Sequence, residues 1–402
     1  MKKSKIELFA SLCVILVFLG IIFGLSLLSV YKLHTDYVTY SYYENRNLAS
    51  FPTVEKKTVL DGSYFTKVED WCRDHSAKRN GVLAYHTRLN MDILKRPVVN
   101  GVVVTDDVLL PYNKPEIVDY DAVEALSETV GENLLSHSKL CESYGGKFYY
   151  VAVPCQYVYY EDSYPWYLNS RSEYTEATSK ALFSKLDSVG VSYIDMLEDF
   201  EQNGHLPEFS SRVDNHYGIF GALETYNALM NKINEDTDFD LQVMTEDDYT
   251  VTALPNPYVG SRTRKLLGLR KSDEKMYIIT PNENVPFTRW NFGSATPGAP
   301  IVYTMPETET QDVLYTIYMG GDVSITEIVT NRPELPTVLV YGDSFTNAVE
   351  TLIWYNFDTM YSLDFRHYNK MTLEEFIAEK KPDIVVCIRD YEQLINPTAN
   401  GQ

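Results

Sequence analysis

Three residue types that together perform acyl transfer stand in two short motifs of the sequence. Gly-Asp-Ser at 342–344 directly follows an apolar run, and a serine at such a turn acts as a nucleophile when a base takes its proton. Asp-Asn-His occupies 214–216. Residues two apart in an extended segment project to the same side, so Asp214 can accept the Nδ1–H of His216 and leave Nε2 for Ser344. The two motifs therefore predict a Ser344–His216–Asp214 triad.

Each motif also has a purely structural interpretation. Serine is a favoured helix N-cap, and Ser344 precedes a predicted helix. Asp214 can likewise cap the next helix, with His216 as a polar residue of its first turn. The catalytic interpretation gains support because both motifs fall at helix starts in one predicted α/β region. A backbone N–H at the start of such a helix would also help to hold an oxyanion.

The other histidines are weaker candidates for the base. The sequence has seven histidines. Three lie on predicted helices among polar residues, where we expect surface positions: His75, His86 and His137. The remaining three stand beside the N-terminal apolar run or in loops: His34, His205 and His367. His216 is the only one with a carboxylate two positions earlier in a segment that leads into a helix.

From about residue 120, predicted helices and strands alternate. Helical patterns cover 123–144, 174–190, 218–233, 345–354 and 372–381. Strand patterns cover 147–154, 191–196, 337–342 and 382–388. Such alternation predicts an α/β fold with a parallel sheet covered by helices. Ligands bind beyond the carboxyl ends of the strands in these sheets, which is where Ser344 stands.

The sequence before the alternating region, and the long segment that interrupts it, predict additional structural elements. Residues 33–97 read as a juxtamembrane linker and helices, and 98–111 as a hairpin broken at Thr-Asp-Asp. Residues 237–335 read as a β-rich insertion, with short β runs at 275–280, 299–305 and 313–319. We therefore expect an anchor at 1–32, the linker and helical segment at 33–97, and the α/β domain at 98–402.

The N-terminus carries the pattern of a membrane anchor. Lys2, Lys3 and Lys5 precede an uncharged apolar run at 8–30. This run exceeds the apolar core of a cleaved signal peptide, and no small-x-small cleavage site follows it. The pattern predicts an uncleaved single-pass anchor. Because basic flanks stay in the cytoplasm, the rest of the chain is expected outside the cell.

Composition excludes some functions and leaves others open. The net charge of −21 argues against nucleic-acid binding, which needs clustered Lys and Arg. Of five cysteines, Cys13 lies in the apolar run. The other four permit two disulfides, but small buried thiols are an equal alternative. No Cys-x-x-Cys pair or histidine cluster occurs, so we predict neither a metal nor a cofactor.

Several segments resemble the DHHW family of bacterial exported proteins. They are 44–52, 68–80, 98–111, 151–165, 213–226, 315–330 and 338–353. That family is related to the SGNH-hydrolase-like O-acetyltransferases exemplified by the alginate acetyltransferases. The resemblance implies an SGNH-hydrolase-like fold and the same triad, with histidine and aspartate preceding the serine. Asn215 and Tyr217 stand where the family's first His and its Trp are expected.

The resemblance also implies a function. We expect a membrane-anchored O-acetyltransferase that modifies hydroxyls of a cell-surface polysaccharide outside the cytoplasm. Since no acetyl-CoA is expected there, the resemblance implies a membrane-bound O-acyltransferase partner that hands over acetyl groups. Two alternatives stay open: a carbohydrate esterase with the same triad, and a non-catalytic glycan-binding or assembly protein.

Further candidates around the site carry weaker signals. Backbone N–H groups of Gly320 and Gly321 would aid an oxyanion hole, and Asn347 lies one turn after Ser344. Arg366 would hold a substrate carboxylate or a sugar oxygen. The run 148–167 holds nine aromatic residues, which fits either a glycan platform or alternating core positions.

Overall fold

The computed structural model describes residues 5–35, 37–303 and 305–398. It divides into two compact units. One unit comprises Met1–Asn100 with Arg264–Arg270, and the other Gly101–Thr263 with Lys271–Gln402. Lys2 and Lys3 of the predicted basic flank lie outside the described residues.

The helices and strands of the described residues are numbered here in chain order. The strands are β1 (Tyr40–Ser41), β2 (Arg46–Asn47), β3 (Val98–Val99), β4 (Val102–Val104), β5 (Leu109–Pro111), β6 (Lys147–Val153), β7 (Tyr193–Asp195), β8 (Tyr249–Ala253), β9 (Tyr277–Pro281), β10 (Thr288–Asn291), β11 (Ile325–Val329), β12 (Thr337–Gly342), β13 (Thr359–Leu363) and β14 (Ile384–Asp390). The helices are α1 (Lys5–Thr35), α2 (Lys56–Leu60), α3 (Ser63–His75), α4 (Arg79–Arg88), α5 (Tyr120–Glu142), α6 (Gln156–Tyr159), α7 (Ser172–Val189), α8 (Met196–Gln202), α9 (Ile219–Asp236), α10 (Ser261–Lys265), α11 (Thr346–Ile353) and α12 (Leu373–Lys380).

The first unit contains the apolar helix α1. Within Glu7–Thr35, an 18-residue window of this helix has a mean hydropathy of 2.9, and α1 is long enough to cross a membrane. The predicted N-terminal apolar helix is therefore confirmed, and α2 to α4 fill the predicted helical segment. Arg46 donates two hydrogen bonds to the buried Asp74 carboxylate, at 2.7 and 2.6 Å. This bidentate pair fixes the β1–β2 turn to α3.

The second unit is built on a seven-stranded sheet. Its order among the described strands is β10-β11-β13-β12-β14-β6-β7. The five strands from β13 to β7 run parallel, whereas β11 pairs antiparallel with both β10 and β13. Every residue of β14 is buried, as expected for a central strand covered on both faces. The predicted α/β fold is confirmed.

Two groups of helices flank this sheet. One group comprises α5, α7 and α12, in which α5 contacts both other helices and also β6. The other comprises α8, α9 and α11, in which α9 contacts both other helices. The buried side of α9 carries apolar residues at helical spacing, among them Leu223, Tyr226, Met230 and Ile233. This burial holds the N-terminus of α9 close to the end of β12.

Two local expectations differ from the structure. The predicted β-rich insertion at 237–335 contains β8 to β11, of which β10 and β11 extend the central sheet. Residues 313–319 form a short 3-10 turn at Tyr315–Ile317 instead of a strand. His137 is buried instead of exposed. Its Nε2 lies 3.2 Å from the Glu374 carboxylate, which compensates for its burial between α5 and the sheet.

Candidate active site

The structure brings Ser344, His216 and Asp214 into one hydrogen-bonded chain. The Ser344 Oγ lies 2.8 Å from His216 Nε2. His216 Nδ1 lies 2.6 Å from Asp214 Oδ1. With Nδ1 protonated toward the carboxylate, the free electron pair on Nε2 faces the serine hydroxyl. This is the geometry that the transfer of the serine proton to the imidazole requires.

Asp214 is held as a buried anion. Its Oδ2 accepts a hydrogen bond of 2.6 Å from the Ser261 N–H, while its Oδ1 faces His216. Burial alone would raise the pKa of the Asp214 carboxyl. His216 and the N–H groups of Ser261 and His216 outweigh burial and hold this pKa well below its usual range. The carboxylate is therefore ionised at neutral pH.

Gly260 allows the Ser261 N–H to reach this carboxylate. A Cβ on Gly260 would lie 2.3 Å from the Val213 carbonyl oxygen and 2.9 Å from the Asp214 nitrogen. No other residue type fits without moving one of the two backbones. The loop that carries Ser261 is thus packed directly against the loop that carries Asp214.

Aromatic side chains fix the imidazole and the serine turn together. The Tyr315 ring stacks on the His216 ring with a centroid distance of 3.8 Å and an interplanar angle of 2°. The Tyr315 hydroxyl accepts a hydrogen bond from the Ala348 N–H in α11, at 3.3 Å. The Tyr217 hydroxyl donates to the Phe345 carbonyl at 2.8 Å. The tyrosines thus join the histidine loop to the start of α11.

Ser344 stands in the tight turn between β12 and α11. A Cβ on Gly342 would lie 2.4 Å from the Ile388 carbonyl oxygen, so glycine permits the close contact with the end of β14. Asp343 stabilises the turn by accepting a bond of 2.9 Å from the Phe345 N–H. Its other oxygen lies 3.4 Å from the buried Arg389 guanidinium. These contacts explain why the serine is presented at the carboxyl end of the sheet.

The weaker candidates lie in a chain that starts beside Ser344. The Asn347 N–H donates to the Ser344 carbonyl at 3.3 Å, and the Asn347 Nδ2 lies 3.4 Å from Asp322 Oδ1. Asp322 Oδ2 in turn lies 3.2 Å from Arg366. The Arg366 guanidinium also contacts Asp364 at 2.7 Å, so two carboxylates already neutralise its charge.

The two glycines before Asp322 differ in whether their backbone N–H already donates a hydrogen bond within the protein. Gly320 and Gly321 both have positive φ, of 87° and 83°. The Gly321 N–H donates to the Tyr318 carbonyl at 3.1 Å, which leaves the Gly320 N–H for the oxyanion proposal. The Ser344 N–H, in the turn ahead of α11, is the other backbone donor of that proposal.

One group of side chains has donors that suit a cation. Among the described residues, ligand atoms of Asp322, Asp364 and His367 lie within 4.8 Å of one another. The Arg366 guanidinium pairs with both carboxylates, so a metal ion would have to displace it. The group is therefore an ion-pair cluster that includes a permanent cation.

The aromatic run at 148–167 is divided between core and surface. Tyr149, Tyr150, Tyr157 and Tyr159 are buried, as the core alternative predicted. Trp166 is 94% exposed, and Tyr167 is also exposed. The two exposed rings contact each other edge to face, with centroids 5.6 Å apart. Most of this run therefore supports the sheet instead of forming a platform.

Sequence reasoning missed the residues that position the triad. Gly260 directly precedes the five-residue helix α10, Ser261 begins that helix, and Tyr315 begins a short 3-10 turn, so these elements are too short to show a periodic pattern. A Gly-Ser pair between apolar runs is the one signal that points to the Ser261 contact, and it is common in loops. Tyr315 lay in a segment predicted as a strand, so its stacking on His216 was not foreseeable.

The fold is similar to that of several solved structures. Bacillus cereus PatB1 with a sulfonyl adduct superposes with a TM-score of 0.61 and 20% identity, over 73% of this chain and 94% of PatB1. A DHHW family protein from Eubacterium siraeum gives a TM-score of 0.54 and 17% identity, over 76% of this chain and 95% of that protein. The O-acetyltransferase domain of Pseudomonas putida AlgJ gives 0.46 and 15%, over 74% and 92%.

The sequence itself matches no family model and no curated protein. The similarity is thus one of architecture, and it extends over nearly the whole length of each solved chain. The chain has the fold of PatB1 and of the Eubacterium siraeum DHHW family protein.

Proposed function

We propose that this chain is a membrane-anchored, extracytoplasmic O-acetyltransferase that acts on hydroxyl groups of a cell-surface polysaccharide. One observation carries the proposal: Asp214, His216 and Ser344 form a hydrogen-bonded chain of 2.6 and 2.8 Å. A serine that only caps a helix has no need of an imidazole held by a buried carboxylate. The arrangement suits a serine that must lose and regain a proton.

The first half of the proposed reaction loads the serine. Ser344 Oγ attacks the carbonyl carbon of an acetyl donor while His216 Nε2 takes the hydroxyl proton. The oxyanion that forms is held by the N–H groups of Ser344 and Gly320. When the bond to the donor oxygen or sulfur breaks, His216 returns the proton to that leaving atom. An acetyl ester on Ser344 remains.

The second half transfers the acetyl group. A sugar hydroxyl attacks the ester carbonyl, and His216 Nε2 takes the proton of that hydroxyl. Collapse of the intermediate breaks the bond to Ser344 Oγ, which regains the proton from His216. Asp214 stays ionised throughout and stabilises the imidazolium in both halves, as its hydrogen bonds and lowered pKa require.

Helix α1 supplies the proposed location. We assign its N-terminal end to the cytoplasm, because Lys2 and Lys3 precede α1 and Lys5 begins it, and we assign the second unit to the outside. Acetyl-CoA is not expected on that side. The donor in the proposal is therefore an acetyl ester or thioester presented by a membrane-bound O-acyltransferase.

Hydrolysis is the competing outcome of the same chemistry. If an acetylated sugar is the donor in the first half and water replaces the sugar hydroxyl in the second, the products are the free sugar hydroxyl and acetate, and the chain is a carbohydrate esterase. A non-catalytic glycan-binding protein would retain the fold without using Ser344. Two assays distinguish these three functions: acetyl transfer, ester hydrolysis and glycan binding without catalysis.

The first assay measures release of p-nitrophenol from p-nitrophenyl acetate by the full-length chain in detergent. We expect turnover by the wild type and none above background by Ser344→Ala. Equal rates in the two proteins would overturn both enzymatic proposals. The second assay adds neutral and acidic oligosaccharides and follows their mass. An added acetyl group supports transfer, and acetate without acetylated sugar identifies an esterase.

A further inference from the structure

A cavity of about 300 Å³ lies behind the loop that carries Asp214 and His216. It is bounded by the 3-10 turn at Pro207–Phe209, the start of α9 and the segment before β9. Six aromatic residues line it: Tyr217, Phe220, Tyr258, Tyr277, Tyr315 and Tyr318. Ser344 is not part of that wall. The cavity is therefore a second concavity beside the triad, at the small end of the range for ligand pockets.

Two polar side chains in this wall have capacity for a ligand. Ser210 is 3% exposed, and its Oγ has no hydrogen-bond partner among the described residues. An unpaired buried hydroxyl is costly, and a ligand hydroxyl would satisfy it. The Glu274 carboxyl accepts a hydrogen bond of 2.8 Å from the Arg212 N–H through Oε2, and the Ser211 hydroxyl also bonds to it. Its side chain remains 17% exposed.

The charges at the cavity oppose an anionic ligand. Glu208 and Glu274 both line it. Of the cationic residues, Arg212 is paired with Asp273 at 2.7 Å, which leaves Lys275 at the rim. Burial raises the pKa of Glu274 to about 7, so its carboxyl can donate as well as accept a hydrogen bond near neutral pH. A carboxyl of this kind suits a hydroxyl-bearing neutral ligand.

Half-exposed rings offer a stacking surface. Phe220 and Tyr277 contact each other with centroids 5.2 Å apart, and each retains exposed area. Aromatic faces pack against the C–H surface of a pyranose, while hydroxyl and carboxyl groups bind its edge. We propose that this cavity binds one neutral pyranose unit of a glycan, with Phe220 and Tyr277 as the stacking surface and Ser210 and Glu274 as hydrogen-bond partners.

The site is separate from the proposed chemistry but touches the residues that position the triad. Ser211 lines the cavity, and its Oγ accepts bonds from the Val213 and Asp214 N–H groups at 3.2 and 2.9 Å. Tyr315 lines the cavity as well as stacking on His216. A bound sugar would therefore contact the residues that hold Asp214 and His216. Binding itself does not depend on Ser344 being a nucleophile.

The test uses full-length Ser344→Ala chain in a detergent without a sugar headgroup. The probes are the methyl glycosides of glucose, galactose, mannose and N-acetylglucosamine, each titrated by saturation-transfer NMR. We expect saturation of the ring C–H protons for at least one probe. No saturation transfer for any of the four would overturn the proposal. Because the catalytic serine is absent, this result is independent of the proposed acetyl transfer.

Variants locate the bound sugar. Phe220→Ala and Glu274→Gln should each weaken the binding of that probe at least about tenfold, the size of one lost stacking or hydrogen-bond contact to a bound ligand. Phe287→Ala is the control: this exposed ring contacts Trp354 and is not part of the cavity wall, so its loss should leave binding unchanged. Circular dichroism confirms that each variant is folded. Equal affinity in all of them would place the sugar elsewhere and contradict the proposal.

Discussion

Two clusters of carboxylates and basic groups flank the Ser344 turn, and they differ in every property that matters for proton transfer. In one, the buried Asp214 carboxylate faces His216 at 2.6 Å, and the imidazole faces the serine hydroxyl. In the other, Asp322 and Asp364 surround Arg366 at 3.2 and 2.7 Å at a partly exposed position. The first cluster contacts the Ser344 hydroxyl, whereas the second consists of ion pairs between Arg366 and the two carboxylates.

The difference shows how similar residue types take different roles. An imidazole exchanges a proton near neutral pH, whereas a guanidinium stays charged. Burial removes water from Asp214, so its charge acts strongly on His216. The Arg366 side chain is 45% exposed, so water screens its pairs with Asp322 and with the buried Asp364 and makes them weaker by comparison. Only the first cluster can therefore activate Ser344, and the second suits a structural role or contact with a polar substrate.

The greatest loss of activity is expected at one of the two basic residues, His216, and not at the other, Arg366. His216→Ala should lower kcat/KM for p-nitrophenyl acetate by about 10³-fold or more, because the serine then has no base. Arg366→Ala should stay within about tenfold, since its pairs are partly exposed. Steady-state rates of the two purified variants test this. An Arg366→Ala loss as large as that of His216→Ala would erase the distinction.

A second pair of variants compares the two carboxylates. Asp214→Asn should cost about 10²- to 10⁴-fold in kcat/KM, because the amide no longer stabilises the imidazolium or selects the tautomer. Asp364→Asn removes a carboxylate that contacts Arg366 and should cost less than about tenfold. Circular dichroism shows whether each variant is folded. Equal losses would indicate that both carboxylates act mainly through folding.

A glycine variant tests the support of the triad. Gly260→Ala should lower kcat/KM by roughly 10- to 100-fold, since its Cβ would push the Ser261 loop away from Asp214 and small misplacements are costly in catalysis. Gly81→Ala is the matched control, because nothing lies within 4 Å of a Cβ there. Unchanged activity of Gly260→Ala would mean that the Ser261 hydrogen bond is dispensable.

The last prediction concerns the pH dependence of folding stability and a third carboxyl group, that of Glu274. Its pKa of about 7 exceeds the ordinary value of 4.5 because it is buried, so the folded state binds the proton more tightly than the unfolded state. Wild-type stability should therefore fall as pH rises from about 4.5 to 7. Glu274→Gln lacks this pH-dependent loss and should gain roughly 2–3 kcal/mol in stability relative to wild type over that window.

Denaturant unfolding of the two proteins at pH 4.5, 6 and 7.5 measures this difference. Parallel curves would show that Glu274 titrates as it does in the unfolded chain. A difference of opposite sign would show that its anion is stabilised by neighbours such as Arg212. Either result would contradict the assignment of Glu274 as a buried carboxyl.

The sequence predicted the parts of the fold that follow periodic patterns. The strand ending at Gly342, the helix with Leu223, Tyr226, Met230 and Ile233, and the apolar N-terminal helix all follow from residue spacing. The Asp214–His216 pair was predictable because both residues share one short segment. The contact of that pair with Ser344 depends on the order of the strands, which spacing alone does not determine.

The supporting residues were not predictable for the same reason. Ser261 begins the short helix α10 and Tyr315 begins a 3-10 turn, and tertiary packing sets their positions against the triad. The burial of His137 depends on its Glu374 partner, more than 200 residues away in sequence. Similarly, β10 and β11 join the central sheet by long-range pairing instead of by local propensity.

The most direct test of the central claim is the site and rate of labelling by phenylmethanesulfonyl fluoride. A serine activated by His216 displaces fluoride and keeps a stable sulfonyl ester, which peptide mass mapping locates. We expect one adduct, on Ser344, in the wild type. Labelling of His216→Ala should be at least about 10²-fold slower, because the base is lost. An adduct on another residue, or equal labelling rates in the two proteins, would contradict the claim.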